Sequence, residues 1–387
     1  MKINWQTKKL GEVCEVIPGQ SPEGKFYNSD GKGMPFYQGK KDFGDKFIED
    51  PTTWTTQTTK IAQKGDILMS VRAPVGPVNF ATGEVCIGRG LAAIRSRAEL
   101  NCDFLFYQLV HLQPEIAGKE GAVFASINKS EIEALPIAFA PLSEQQRIVG
   151  ILDEAFDGIA TAKANAEKNL QNAHALFESC LLSVFSQLGK EWDKDQLDAL
   201  TEPDSPITYG VVKPGNEGEI RFVRGGDLVR GRVRLDQLRT ITRAVSEQYR
   251  RTLLKGGELL ICLVGQPGQV AVAPKELAGA NIARQVGLIR LKGNMDAEFV
   301  RYYLQSPLGA EALGARESGS VQQVINLGEL RHLSVPYPHL EEQRKIVAKL
   351  NAMEADTQGL GSLYDSKLIA LDELKKSLLH QAFIGEL

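Results

Sequence analysis

Several kinds of chemistry have no residues to carry them in this 387-residue chain. The five cysteines (Cys14, Cys86, Cys102, Cys180, Cys262) are scattered, odd in number and nowhere spaced as CxxC. They read as reduced, mostly buried thiols of a cytosolic protein, not as a disulfide frame or a zinc site. The five histidines (His111, His174, His332, His339, His380) have no ligand spacing, and no HExxH, GxSxG or DxDxG segment occurs. The [ND]PP[YF] segment with which an amino-methyltransferase holds its target base is also missing. The paired carboxylates Asp153 and Glu154 read as the solvated face of a helix. No catalytic constellation emerges, so the chain is expected to be neither an enzyme nor a metal or cofactor binder by itself. Charges interrupt every apolar run, which argues against a membrane span. The start "MKINWQTKKL" lacks the apolar core of a secretory signal.

Two near-matches to nucleotide motifs fail on context. Residues 19–26, "GQSPEGKF", differ by one letter from GxxxxGK[ST]. The hydroxyl that would hold Mg²⁺ is replaced by Phe26, and the following "YNSDGKGMP" spells turns where a phosphate loop needs a helix. "GRGLAA" (88–93) fits GxGxxA, but the short, polar "IRSRAELNC" after it is no dinucleotide-binding helix. An NTPase is therefore the weakest reading.

What the chain does have is itself, twice. "LSEQQRIVGIL" (142–152) aligns with "LEEQRKIVAKL" (340–350), with six identities in eleven. In the same order, Trp5 aligns with Trp192, "PFYQG" (35–39) with "RFVRG" (221–225), and "KGDIL" (64–68) with "GGELL" (256–260). "IGRGLAAIR" (87–95) then aligns with "IARQVGLIR" (282–290), "FLFYQL" (104–109) with "FVRYYL" (299–304), and Ile127-Asn128 with Ile325-Asn326. A repeat this long is no solenoid. It implies two similar domains, each followed by a similar helix and related by a pseudo-twofold axis. The first part of each copy is rich in Gly, Pro, Thr and short β-type runs, with one helix expected at 102–119 and another at 296–315. Each domain thus reads as α+β with a curved β-sheet.

The second part of each copy is long and helical. Ile148, Leu152, Ala155, Ile159, Ala162, Ala166, Asn169, Ala173, Leu176 and Cys180 step by three and four. So do Ile346, Leu350, Met353, Thr357, Leu360, Tyr364, Lys367, Leu371, Leu374 and Leu378. This is coiled-coil spacing. Ser143 with Gln146 suggests a capping box at the first start. Two independent helices, each packed on its own domain, remain the alternative to an antiparallel pair. The expected divisions are residues 1–141, 142–190, 191–338 and 339–387: domain, helix, domain, helix.

Net charge is −3, yet nine arginines lie between Ile220 and Arg251 against Asp227, Asp236 and Glu247. Such a stretch is either a phosphate-binding face or a solvated face laced with local salt bridges.

Together these residues resemble the specificity (S) subunit of type I restriction–modification systems, over essentially the whole chain. The residues that carry the resemblance are the entry segment "PGQSPEGKFYNSDGKGMPFYQGKKDF" (18–43), the core stretch "SVRAPVGPVNF" with "CIGRGLAAIR", and the doubled junction. In that junction "SINKSEIEALPI" and "QQVINLGELRHLSV" run into "PLSEQQRIV" and "HLEEQRKIV". The family's junction usually carries Thr-Gln before its Ile-Asn/Ser; here Phe124-Ala125-Ser126 and Val321-Gln322-Gln323-Val324 stand instead. The second entry segment, "PDSPITYGVVKPGNEGEIRFVRGGDL", looks like a different class of recognition domain. The resemblance implies a non-catalytic, cytoplasmic chain with two target-recognition domains, each reading half of an asymmetric, split double-stranded DNA site. An antiparallel coiled coil would set the gap and dock two methyltransferase (M) subunits, with restriction/motor (R) subunits joining through them. S-adenosylmethionine, ATP and Mg would belong to those partners, not to this chain. A scaffold that binds only protein is the competing reading.

Base edges are read by Arg, Lys, Gln, Asn and Ser on loops that enter a groove. The candidates are Gln38, Lys40, Lys41, Arg72, Arg89, Ser126 and Asn128 in copy one. In copy two they are Arg224, Arg230, Arg232, Arg284, Gln322, Gln323 and Asn326. Arg89 and Arg284 could equally brace a loop.

Overall fold

A computed structural model describes residues 5–117, 126–187, 192–314 and 324–387. The chain divides into two units, Met1–Ala166 with Ser366–Leu387, and Glu167–Asp365.

The first unit is built on a four-stranded antiparallel sheet ordered Cys14–Pro18, Leu91–Ser96, Ile67–Ser70, Val78–Phe80. Its central strands are apolar over residues 67–69 and 91–94, where both faces are covered. Ile67, Met69, Ala92 and Ile94 point into a core shared with the helix Cys102–Ile116, while Leu68, Leu91 and Ala93 point into a second core. Alternation of side chains along a strand sends neighbouring residues to opposite layers. A five-stranded mixed sheet includes Met34–Tyr37 beside Val85–Ile87 in parallel, with Tyr37 opposite Ile87. Gln6–Lys9 pairs antiparallel with Pro136–Phe139 and so closes the domain.

The second unit repeats this plan. Its four strands run Thr208–Tyr209, Val286–Ile289, Leu259–Cys262, Val270–Val272. Leu259 and Ile261 face one core, Leu260 and Cys262 the other. Ile220–Val223 lies parallel to Asn281–Ile282, with Val223 opposite Ile282. Asp193–Gln196 pairs with Ser334–Tyr337. The helix expected over 296–315 breaks in two, Ala297–Gln305 and Pro307–Ala312. Pro307 cannot donate into a continuing helix, and the Ser306 side chain restarts the chain by capping Gly309 N at 3.2 Å.

Two helices of 45 residues each, Leu142–Ser186 and Leu340–Ile384, contribute to both units. In each unit the two segments run antiparallel. In the first, Lys163 pairs with Asp372 and Arg147 donates to the Leu387 carbonyl at 2.6 Å. In the second, Cys180 Sγ meets Met353 Sδ at 3.1 Å, and Leu170 lies over Gly361.

The seam corrects two expectations. Asn169, Leu176, Leu360, Lys367 and Leu374 do not lie in it; Leu176 is 61% exposed and Leu374 47%. Phe177, Gly361 and Leu368 take the inward places. A straight helix has 3.6 residues per turn and drifts about 20° per heptad from a strict 3.5 repeat, so a heptad count slips over this length. Ser143 is the second residue of its helix, not the cap, because the helix begins at Leu142.

Neither nucleotide motif survives. Gly24–Phe26 is a single 3₁₀ turn leading into the strand Tyr27–Asn28, and Lys25 pairs with Glu23 at 2.7 Å on the surface. Gly88-Arg89-Gly90 turns directly into the strand Leu91–Ser96. All five cysteines are unpaired. Among the described residues, no helix is long and apolar enough to cross a membrane.

Candidate nucleic-acid interface

The same backbone scaffold presents a polar edge in each unit. In the first, the entry loop crosses the sheet at Gly19. A Cβ there would lie 2.2 Å from the Gly88 carbonyl oxygen, so only glycine permits the crossing. Gln20 N then donates to Ile87 O at 2.9 Å, and Arg89 N to Ser21 Oγ at 3.2 Å. Gly88 N donates to Tyr37 O at 2.8 Å, which brings Gln38 beside this turn. Val71 N binds Gly90 O and Ile127 N binds Val71 O, adding Arg72, Ser126 and Asn128 to the same edge. Gln38, Arg72, Arg89, Ser126 and Asn128 are all exposed. A cleft of about 450 Å³ between Gln20, Tyr27, Gln38 and Arg89 runs along it.

The second unit reproduces the crossing at Gly210, where a Cβ would lie 1.9 Å from Ile282 O. Val211 N donates to Ile282 O, Arg284 N to Val211 O and Ala283 N to Val223 O, at 2.8 to 2.9 Å. Ile325 N binds Leu263 O, and Val264 bridges Val324 as Arg72 bridges Ser126. Arg224, Arg284 and Asn326 therefore stand where Gln38, Arg89 and Asn128 stand in the first unit. The cleft here, about 460 Å³, is more apolar, with Tyr209, Val212 and Val324 exposed beside Arg284 and Asn326.

Several candidates already have structural partners. Asn128 caps the helix Lys129–Glu133 in a capping box with Glu131, and Asn326 caps Leu327–His332 through Gly328 N. Arg224 is clamped by buried Asp227, which raises the guanidinium pKa through their hydrogen bonds. Lys41 lies 3.7 Å from Asp42, and Lys40 lines a separate cavity of about 290 Å³ with Phe43, Phe106 and Phe156.

Arg230 and Arg232 belong to the hairpin Leu228–Val229/Arg232–Val233, away from the Arg224 edge. Arg230 and Gly231 form its turn with φ of 48° and 79°, the primed-turn geometry. This turn packs on Arg301 and borders a cavity with His174, Phe177 and Glu354. Gln322 and Gln323 lie outside the described residues.

The arginine-rich stretch is partly neutralised locally, since Arg243 pairs with Glu219 at 3.3 Å and Arg234 lies 3.9 Å from Asp236, while Arg221 donates to the backbone carbonyl of Glu276.

Sequence reasoning missed what joins each recognition domain to its long helix. Gln145 is fully buried; its Oε1 accepts from Asn101 N at 2.7 Å and its Nε2 donates to Ala140 O and Glu99 O. Gln343 repeats all three bonds, with Asp296 N at 2.9 Å and with Pro338 O and Asn294 O. The signal was present as the Gln shared by the two copies of the junction.

The comparisons with known proteins agree with this duplicated plan. Residues 2–171 and 206–360 match the family described as "Type I restriction modification DNA specificity domain". The chain belongs to that family. It is 39% identical over 184 residues to a putative type I restriction enzyme MjaX specificity subunit of Methanocaldococcus jannaschii, covering 46% of this chain and 43% of that protein. The EcoBI specificity subunit of Escherichia coli is 27% identical, over 64% of this chain and 57% of its own length. The chain thus spans about half the length of these two relatives. A putative specificity subunit of Haemophilus influenzae, S.HindORF215P, is 24% identical over 97% of this chain and 93% of that one.

Two solved structures share the fold. One is described as showing assembly and conformational transition of the type I R-M system, with a TM-score of 0.78, 19% identity and coverage of 99% and 98%. The other is the HsdS subunit of Thermoanaerobacter tengcongensis, with a TM-score of 0.57, 19% identity and coverage of 99% and 97%.

Proposed function

We propose that this chain is the sequence-reading subunit of a type I restriction–modification complex in the cytoplasm. Each unit reads one half of a bipartite, asymmetric site in double-stranded DNA. The observation that carries this reading is the pair of equivalent edges, alike in backbone and different in side chains. A common scaffold with Gln38, Arg72 and Ser126 at one edge and Arg224, Val264 and Val324 at the other is suited to two different base sequences. The paired long helices set the unread gap. Their exposed apolar residues, Leu176 and Leu363 in the second unit and Ile369 and Leu374 in the first, offer docking area to methyltransferase subunits. Methyl transfer to adenine, with S-adenosylmethionine, and ATP- and Mg-dependent translocation and cleavage fall to those partners and to the motor subunits.

The test is an adenine-methylation map of a host expressing this chain with its methyltransferase partner. A split motif with two unlike halves is expected. A palindromic motif would refute the division of labour, and methylation without any motif would leave only a protein scaffold.

A further inference from the structure

We infer that Asp227 is a positioning residue that holds Arg224 ready to read a guanine in the half-site bound by the second unit. The inference rests on the DNA-reading function proposed above. Asp227 is 1% exposed. Its carboxylate accepts from Arg224 N at 2.8 Å, Arg224 Nε at 3.1 Å and Arg224 Nη2 at 3.0 Å. Its own N–H returns to the Arg224 carbonyl at 3.0 Å, and the Arg234 guanidinium lies 4.0 Å away. Backbone and side chain of Arg224 are thus tied to one buried anchor.

The anchor uses one particular edge of the guanidinium. Nε–H and one Nη2 hydrogen face Asp227. The other edge, Nη1 with the second Nη2 hydrogen, is directed away from the carboxylate, and about a third of the side chain is exposed. Those two parallel donors match O6 and N7 of guanine in the major groove. An unanchored arginine must give up rotamer freedom when it meets a base; here that freedom is lost on folding, so discrimination is not diluted.

The first unit carries a different side chain at this position. Gln38 follows the strand Met34–Tyr37 as Arg224 follows Ile220–Val223, and it is exposed. Glutamine matches N6 and N7 of adenine. The two units carry different readers at one structural position, so exchanging the reader should exchange the base.

The test uses the full chain in complex with its methyltransferase partner, incubated with a randomised duplex library whose bound fraction is sequenced. The wild type is expected to prefer guanine at one position of one half-site by roughly 5- to 150-fold. D227N should reduce that preference to below roughly threefold while every other position keeps its own. R224K, which retains charge but not the fork, should do the same in a chain whose anchor is intact, and R224Q should turn the preference towards adenine. A D227N variant with unaltered preferences, or one that binds all sequences more weakly by a common factor, would overturn the inference and leave Asp227 a purely structural residue. A wild-type complex that selects no sequence at all would overturn the proposed function itself.

Discussion

Gln145 and Gln343 make the same three hydrogen bonds in the two units, yet the charges further along the same helices are handled differently. In the first unit Lys46, from a loop of the recognition domain, reaches Asp103 at 3.0 Å and Asp153 at 3.1 Å. Burial disfavours its ammonium, but the hydrogen bonds to the two carboxylates outweigh that and raise its pKa. In the second unit the cation comes from the helix Ala297–Gln305. Arg301 binds Glu354 through two bonds of 3.1 and 3.2 Å and also pairs with Glu298. Tyr107 donates to Asp153, whereas the Tyr302 hydroxyl lies 2.7 Å from Asn351 Oδ1 and 3.0 Å from Glu354 Oε2, so the tyrosine is kept while its acceptors change. Bonds to the backbone persist because the backbone persists. An ion pair needs only local balance, so its members can move to new positions as copies diverge.

The sharpest way to break this comparison is to remove Arg301. It is 2% exposed and Glu354 is 9% exposed, so Arg301→Ala strands a carboxylate in the interior. A loss of about 3–5 kcal/mol is expected, and the double change Arg301→Met with Glu354→Leu should recover most of it. In a chain with Trp5 and Trp54 replaced by Phe, Trp192, which packs against Phe185 and Phe299, reports this unit by fluorescence in urea titrations. A single variant as stable as the wild type would mean the pair is not what ties helix to domain.

Removing the shared glutamines should cost less, and equally. Gln145→Ala leaves Asn101 N without its acceptor, and Gln343→Ala does so for Asp296 N. Each should lower the stability of its own unit by about 1–3 kcal/mol. With Trp192 replaced by Phe, Trp5, packed on Phe104, and Trp54 report the first unit as Trp192 reports the second. A large loss in one unit with none in the other would show that the two joints are not equivalent.

The contrast between glutamines and charges also shows what the sequence made legible. The duplication and the two long helices could be read directly, because identical backbone demands leave identical residues such as the junction Gln. Arg230 and Arg232 could not be separated from Arg224 by sequence: all three sit in one basic run, and a two-residue turn sends the hairpin elsewhere. The seam slipped because heptad counting accumulates error over 45 residues. The Lys46 and Arg301 networks were invisible because their members are far apart in sequence and differ between copies.

A smaller effect is expected at Lys46. Its side chain is 28% exposed and those of Asp103 and Asp153 are 41% and 43% exposed, so solvent screens the pair. Lys46→Ala should lower the stability of the first unit by about 1 kcal/mol or less, and salt should shrink the difference. A loss as large as that of Arg301→Ala would overturn the distinction between a half-exposed and a buried network.

The smallest expected effect separates the units by pH. His111, on the helix Cys102–Ile116, stacks on Phe383 with ring centroids 5.6 Å apart and lies 5.7 Å from the His380 ring. Burial first, and then the neighbouring His380, push its pKa below the ordinary 6.5, with Glu115 opposing them. The folded chain therefore holds this imidazole neutral while the unfolded chain takes up the proton more readily. The stability it contributes is fully present above about pH 6.5 and is lost as pH falls through the lower, folded-state pKa. The aligned residue of the second unit is Ser306, a buried cap that does not titrate in this range. Between pH 7.5 and 5 the urea midpoint reported by Trp5 should fall further in the wild type than in His111→Phe, which keeps a ring against Phe383 but cannot be protonated. Above pH 7 the difference between the two proteins should be constant, and the Trp192 signal should not respond to the substitution. Parallel pH curves for the two proteins would place the acid sensitivity of the first unit in other groups.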